Sequence, residues 1–307
     1  MRIAIIGAGA VGGYYGALLS RVGADVHFVA RGAHRDAIRA NGLRIIGVQG
    51  DFTVHLPAED DPSRIGPVDV VMLTVKTYDN PSAFPLIAPL LGPDTCVLTL
   101  QNGVDSADDL AGVVGRSRVI AGPTYVATAI EAPGVIRQTG SHRRIVFGEV
   151  FDAPPNVTPR VRELAELMVA ADIHAEAVAD ARIPLWEKFI YLAPFAAFTG
   201  AARKPIGAIW SDPDSRQAFM DAVGEVERVA RASGVAVAED VREKVATYTG
   251  GIPASTRSSL LIDLQAGKRI EVESLPGSVV RRGQAVGVET PIMRGLYAVL
   301  KPWRDNA

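Results

Sequence analysis

Apolar positions fall into two regimes along the chain. Up to about residue 178, short apolar runs alternate with stretches of helical period; from about residue 180 the chain turns helical. In the first regime Ile3-Ala4-Ile5-Ile6 and Asp25 to Ala30 read as strands. Between them a helix runs from about Val11 to Val22 and stops at Gly23, and Ala33 to Ala40 reads as a second helix ended by Asn41-Gly42. Leu43 to Ile46 and Phe52 to Val54 flank a glycine-rich turn and predict a hairpin. Val68 to Val75 and Thr95 to Leu100 are continuous enough for central parallel strands. Arg118 to Ala127, Val135 to Gln138 and Ile145 to Gly148 read as further, antiparallel strands. Thr158-Pro159 has the chemistry of a helix cap and first turn, with Val161, Leu164, Leu167, Met168 and Ala171 on the apolar face. Asp172 to Val178 then closes the sheet. In the second regime Asp212-Pro213 caps a long helix with Phe219, Val223, Val226, Val229 and Ala230 inward, ended by Gly234, and Thr290-Pro291 caps the final helix. Alternation followed by helices predicts two domains, residues 1–178 and 179–307, with an active cleft between them at the carboxyl ends of the parallel strands.

The first strand runs directly into Gly7-Ala8-Gly9-Ala10-Val11-Gly12. In a strand–turn–helix setting this spacing has a specific use. Gly7 permits the tight turn, Gly9 lets the backbone approach a pyrophosphate, and Gly12 lets helix and strand pack closely. The helix N-terminus adds free N–H groups and partial positive charge. The class this predicts is α/β, an N-terminal Rossmann-type doubly wound sheet with an all-helical C-terminal domain. At the end of the second strand an NAD site would carry an acidic residue for the ribose 2′-OH. Here the strand meets Arg31, with His34 and Arg35 following, and a guanidinium pairs with a 2′-phosphate, so NADP is the favoured cofactor.

Composition narrows the class. The 307 residues are long enough for two cores, and 32 Lys and Arg against 34 Asp and Glu leave a net charge of −2, so no basic field points to nucleic acid. The single cysteine, Cys96, lies in an apolar run and excludes an internal disulfide, which fits a reducing, cytoplasmic setting. No uncharged stretch reaches membrane-spanning length. The five histidines are scattered without ligand spacing, so no metal site is expected, and no GxSxG elbow appears.

Four residues could carry chemistry. Lys76 and Asn102 each follow a predicted parallel strand, the end that faces a nucleotide; the bland readings are a surface lysine and an Asn-Gly turn. Lys188 lies in Leu185-Trp186-Glu187-Lys188-Phe189-Ile190. In an apolar cleft it would hold its proton less tightly and serve as a general acid; on a surface it would snorkel into water. Glu271, in Lys268 to Glu273, reads unaided as part of a solvated charge run, while opposite Lys188 it would favour the charged amine.

Taken together and in this order, the glycine loop, Val29 to Gly32, Val75-Lys76, Gln101-Asn102-Gly103, Leu185 to Lys188, Ser258 to Asp263 and Gly267 to Glu273 resemble the ketopantoate reductase family over nearly the full length. The resemblance implies a helical second domain like the C-terminal domain of 6-phosphogluconate dehydrogenase. It implies NADPH-dependent reduction of a 2-keto acid, with Lys188 as proton donor, Asn102 touching cofactor and substrate, and Glu271 organising the site at the cofactor. Ser259 would contact substrate, and Arg31 and Lys76 would bind NADP. Family members are monomers or dimers, so a homodimer stays open.

The chain departs from the family pattern on the substrate side. Leu192, Ala196 and Pro276 stand where the family usually carries asparagines, and Leu192 and Ala196 follow Lys188 at helical spacing. Buried polar groups left without partners cost about 1–3 kcal/mol each, so a pocket lined by Leu192 and Ala196 implies a less polar substrate unless Arg257 or Thr199 supplies contacts. Two rivals remain at this stage: a 3-hydroxyacid or 6-phosphogluconate dehydrogenase, and an NADPH-sensing protein without turnover.

Overall fold

A computed structural model of the chain describes residues 1–151 and 155–305. Its strands are β1 (Arg2–Ile6), β2 (Asp25–Val29), β3 (Leu43–Ile46), β4 (Phe52–Val54), β5 (Ala58–Glu59), β6 (Val68–Leu73), β7 (Leu91–Thr99), β8 (Val119–Ala121), β9 (Thr124–Ala132), β10 (Val135–Glu149) and β11 (His174–Val178). Its helices are α1 (Ala10–Ser20), α2 (Gly32–Asn41), α3 (Asn80–Ala83), α4 (Ser106–Val114), α5 (Pro159–Ala170), α6 (Arg182–Ala202), α7 (Ile206–Trp210), α8 (Pro213–Ala232), α9 (Val241–Gly251), α10 (Ser259–Gln265), α11 (Pro276–Ala285) and α12 (Pro291–Leu300). Contacts divide the chain into two compact units, Met1–Gln101 with Ser106–Ala181, and Asn102–Asp105 with Arg182–Ala307. The division falls slightly beyond residue 178, and the loop 102–105 belongs to the helical unit, which no local pattern announces.

In the first unit β5, β2, β1, β6, β7 and β8 lie side by side, all parallel. Strand order reverses between β1 and β6, the switch point where doubly wound sheets bind ligands. The central strands are apolar because both faces are covered: Ile3, Ile5, Val71, Met72, Val97 and Leu98 are all buried. Cys96 is among them at 3% exposure, and burial pushes its thiol up to about 11, which leaves it inert.

The far half of the sheet corrects two expectations. Val135 to Gln138 and Ile145 to Gly148 are one continuous strand, β10, which pairs antiparallel with β8 and β9 but parallel with β3 and β11. Arg118 to Ala127, expected as one antiparallel strand, is split between β8, which is parallel to β7 and antiparallel to β10, and the start of β9, which is antiparallel to β10. Alternation shows which face a strand buries and is silent on the direction of its neighbour. The β3–β4 hairpin forms as read.

The second unit packs its helices around one apolar core that includes Phe189, Ala196, Phe219, Val226, Val272 and Met293. Asp212 caps α8 as its sequence predicts, Oδ1 accepting from Ser215 N at 2.7 Å. Thr158 and Thr290 occupy N-cap positions, but neither side chain caps its helix. The Thr158 hydroxyl donates to Glu149 Oε1 at 2.7 Å. The first N–H groups of α12 go instead to the buried Glu225 carboxylate, from Ile292 and Met293, each at 2.9 Å.

Candidate active site

The glycine loop connects β1 to α1 in the first unit. Gly7 adopts φ +99°, a conformation only glycine enters without strain, and its N–H donates to Val29 O at 3.1 Å. A Cβ on Gly12 would stand 2.8 Å from Ile5 Cγ2 and closer still to Thr74 Oγ1, so glycine there lets α1 seat against β1. Gly9 differs, because a Cβ there would meet only Ile130 Cδ1 at 3.9 Å. Backbone at Gly9, the N-cap of α1, is therefore open on that side, directly at the helix N-terminus. That is a cradle a pyrophosphate fits.

Side chains outside the glycine loop hold this cradle. Thr74 Oγ1, just past β6, donates to Gly7 O at 2.8 Å. His34 on α2 bonds Ala8 O through Nε2 at 2.8 Å, and its Nδ1 accepts from Gly134 N at 3.1 Å. An Nδ1 that accepts is unprotonated, so the proton sits on Nε2 and the ring is neutral. Burial, partly opposed by the Ala8 carbonyl, lowers the pKa of His34 and maintains that state. Gln101 Nε2 donates to Val75 O at 2.9 Å and Asn80 Oδ1 at 2.6 Å, which fixes the chain beyond β6.

Arg31 is the N-cap residue of α2, with a side chain 76% exposed and Nη2 3.5 Å from Asp79 Oδ1. Lys76, half-buried, precedes the helical turn Thr77–Asp79 at the carboxyl end of β6.

The helical unit gathers the remaining candidates. Lys188 is half-buried on α6, and its Nζ donates to Asn102 Oδ1 at 3.0 Å. Burial pushes the ammonium down from 10.5 to about 8, and the negative charge of Glu271 partly opposes that fall. Glu271 is only 5% exposed, between buried Ile270 and Val272, which corrects its reading as a solvated charge run. The charges in Lys268 to Glu273 mask a segment whose Ile270, Glu271 and Val272 all turn inward. Glu273 meets Arg281 at 3.1 Å and the Tyr297 hydroxyl at 2.8 Å.

On the expected substrate side, Leu192 is half-buried on α6, while Ala196 is 1% exposed and part of the helical core. Ser259, the first residue of α10, is exposed; its neighbour Ser258 is the N-cap, accepting from Leu261 N at 3.1 Å. Thr199 does not replace the missing asparagines, because it is fully buried and bonded to Phe195 O and Ser258 Oγ. Arg257 is exposed and donates to Gln265 at 3.1 Å. Pro276 is buried at the first position of α11.

Among the described residues no group of His, Cys, Asp and Glu is suited to hold a metal, and no helix is long and apolar enough to cross a membrane.

Comparison with known proteins accounts for this arrangement. The family model for ketopantoate reductase PanE/ApbA matches residues 3–151, and the model for the C-terminal part of the same family matches residues 180–304. The 2-dehydropantoate 2-reductase of Mesorhizobium japonicum is 32% identical, over 98% of this chain and 97% of its own. The crystal structure of a PanE/ApbA family ketopantoate reductase from Ralstonia eutropha matches with a TM-score of 0.90 at 35% identity, covering 98% of both chains. That of 2-dehydropantoate 2-reductase from Geobacter metallireducens matches at 0.91 and 33% identity, over 98% of this chain and 99% of its own. The chain belongs to the ketopantoate reductase PanE/ApbA family.

Proposed function

We propose that this chain reduces the carbonyl of a small 2-keto acid to the 2-hydroxy acid with a nicotinamide cofactor, preferring NADPH, and that Lys188 donates the proton. One observation carries the reading: a lysine brought down to about 8 by burial, its Nζ held on Asn102 Oδ1 at 3.0 Å. Such an amine is protonated at neutral pH and yields its proton more readily than an ordinary lysine. Relatives named 2-dehydropantoate 2-reductase make ketopantoate the first substrate to test.

The cradle around Gly9 fits a dinucleotide pyrophosphate, which Gly7, Ala8, Gly9, Ala10, Val11 and Gly12 would hold by backbone N–H groups and close approach. Arg31 and Lys76 would take the 2′-phosphate that distinguishes NADP from NAD. Asn102 and Glu271 would contact the cofactor as well as serve Lys188. When bound, the nicotinamide supplies the hydride that reaches the carbonyl carbon.

The side chains do the rest. Lys188 keeps its proton at the carbonyl oxygen, and its charge stabilises the alkoxide that develops there before the proton moves. Asn102 accepts one ammonium hydrogen and so fixes where the others point, and Glu271 favours the charged form. Ser259 offers an exposed hydroxyl to the substrate.

NADPH oxidation with ketopantoate, in the native protein and in Lys188→Ala, tests this. Turnover lost in the variant supports the reading. Equal turnover in both removes Lys188 as donor, and tight NADPH binding without turnover of any 2-keto acid favours a sensing role.

A second reading concerns polarity. Leu192 stands one turn beyond Lys188 on α6, where the family resemblance leads one to expect an amide. An apolar wall there favours a 2-keto acid with an apolar side chain over ketopantoate. A panel of 2-keto acids of increasing apolar bulk separates the two, and a low KM for ketopantoate rejects this second reading.

A further inference from the structure

The loop 102–105 is held by arginines far along the chain. Asp105 Oδ1 accepts from Arg282 Nε at 2.5 Å, and Oδ2 accepts from Arg281 Nη2 at 3.2 Å. Arg282 Nη2 also donates to Val104 O at 3.0 Å. The same guanidinium lies over the Trp186 ring, 5.8 Å from its centroid. Trp186 is buried on α6, two residues before Lys188. One planar group thus touches both the loop that carries Asn102 and the helix that carries Lys188. Gly103 completes the seating, with φ +96° and a position where a Cβ would stand 2.7 Å from Ser274 O.

We propose that Asp105 and Arg282 are positioning residues, a clamp that holds the Asn102 carboxamide on Lys188 and so sets the orientation and proton affinity of that lysine. For catalysis the proposal rests on the reading of Lys188 as proton donor. Arginine suits the task, because its planar fork bonds a carboxylate and a carbonyl at once while it lies over an indole; a lysine offers a single point of charge. Side-chain exposures of 22% for Asp105 and 26% for Arg282 shield the pair from the solvent that weakens surface ion pairs.

Charge also reaches Lys188 from outside the loop. Glu271 acts on it directly. Glu187, its chain neighbour, accepts from Ala238 N at 3.2 Å, and Glu273 is engaged by Arg281 and Tyr297. The clamp reaches Lys188 through the hydrogen bond from its Nζ to Asn102 Oδ1.

Arg282→Lys is the decisive variant, because it keeps the charge and removes only the fork. The readout is the titration of Lys188 by NMR of the intact protein labelled with 13C at lysine Cε, the signal assigned with Lys188→Arg. The expected result is a titration point below that of the native protein, since the ammonium loses an acceptor, and a kcat lowered about tenfold. Asp105→Asn should move both in the same direction. Arg242→Ala, which breaks the Arg242–Glu227 ion pair elsewhere in the same unit, should move neither. A Lys188 titration unmoved in Arg282→Lys and Asp105→Asn overturns the clamp, even if both variants melt earlier. Because the titration needs no turnover, it decides the clamp independently of whether Lys188→Ala abolishes reduction.

Discussion

The two units carry their candidate chemistry in opposite ways. In the first, each candidate cofactor group follows a strand within a few positions: residues 7–12 after β1, Arg31 after β2, Lys76 after β6. The candidate groups there are mostly backbone, and their geometry is set by glycine at fixed spacing. In the second, the site is assembled from side chains of distant segments. Lys188 and Asn102 are 86 positions apart, and Arg282 and Asp105 are 177 apart. A backbone site is written locally; a side-chain site is written in tertiary packing.

Lys188→Ala tests that contrast most severely. If Lys188 is the proposed general acid, its loss should lower kcat roughly 100- to 10,000-fold, while cofactor affinity, which the proposal rests mainly on the glycine loop, Arg31 and Lys76, changes little. Steady-state kinetics beside NADPH titration by fluorescence checks it. If cofactor affinity collapses together with kcat, the division of labour is wrong.

Arg31→Ala probes the other unit. A charge-assisted hydrogen bond to phosphate is worth about 1.5–3 kcal/mol, so KM for NADPH should rise roughly 10- to 150-fold while KM for NADH changes little. An equal rise for both cofactors would mean that Arg31 serves the fold or the adenosine rather than the 2′-phosphate.

How much was legible follows the same divide. The glycine loop, the end of β1, the β3–β4 hairpin and the Asp212 cap are all local patterns, and the structure contains them, while β6 stops at Leu73, two residues before the apolar run does. Family resemblance picked out Lys188, Asn102 and Glu271 as a set, where residue chemistry alone left each balanced against a bland alternative. Glu271 was misread locally because charged neighbours hide its burial. The His34 bridge between Ala8 and Gly134 spans 100 positions on its longer arm, and no spacing rule reaches that far. The arginine clamp was invisible for the same reason, and Thr199, a candidate substitute on sequence, proved to be spent on α6 and Ser258.

Glu271→Gln sharpens the helical unit further. If Lys188 is the proposed donor it must be protonated to act, so the reduction rate should fall as pH rises through its pKa, about 8. The charge of Glu271 raises that pKa, so neutralising it moves the alkaline limb of the kcat profile to lower pH. A limb that stays in place would leave Glu271 without an electrostatic role at Lys188.

The smallest effect expected is a stability difference within one helix start. By sequence, Thr290 caps α12; in the structure its side chain caps nothing, and the buried carboxylate of Glu225 accepts from both Ile292 and Met293. Glu225→Gln keeps the shape but turns an amide NH2 toward one of those donors. It strands a buried N–H and forfeits the favourable charge at the helix N-terminus, so it should cost about 1–3 kcal/mol in urea unfolding. Thr290→Val should cost less than about 0.5 kcal/mol, since no cap bond is lost. The reverse ranking would restore the local cap and make α12 as readable from its own sequence as α8. The expected ranking makes even a helix start in this unit depend on a residue 67 positions away.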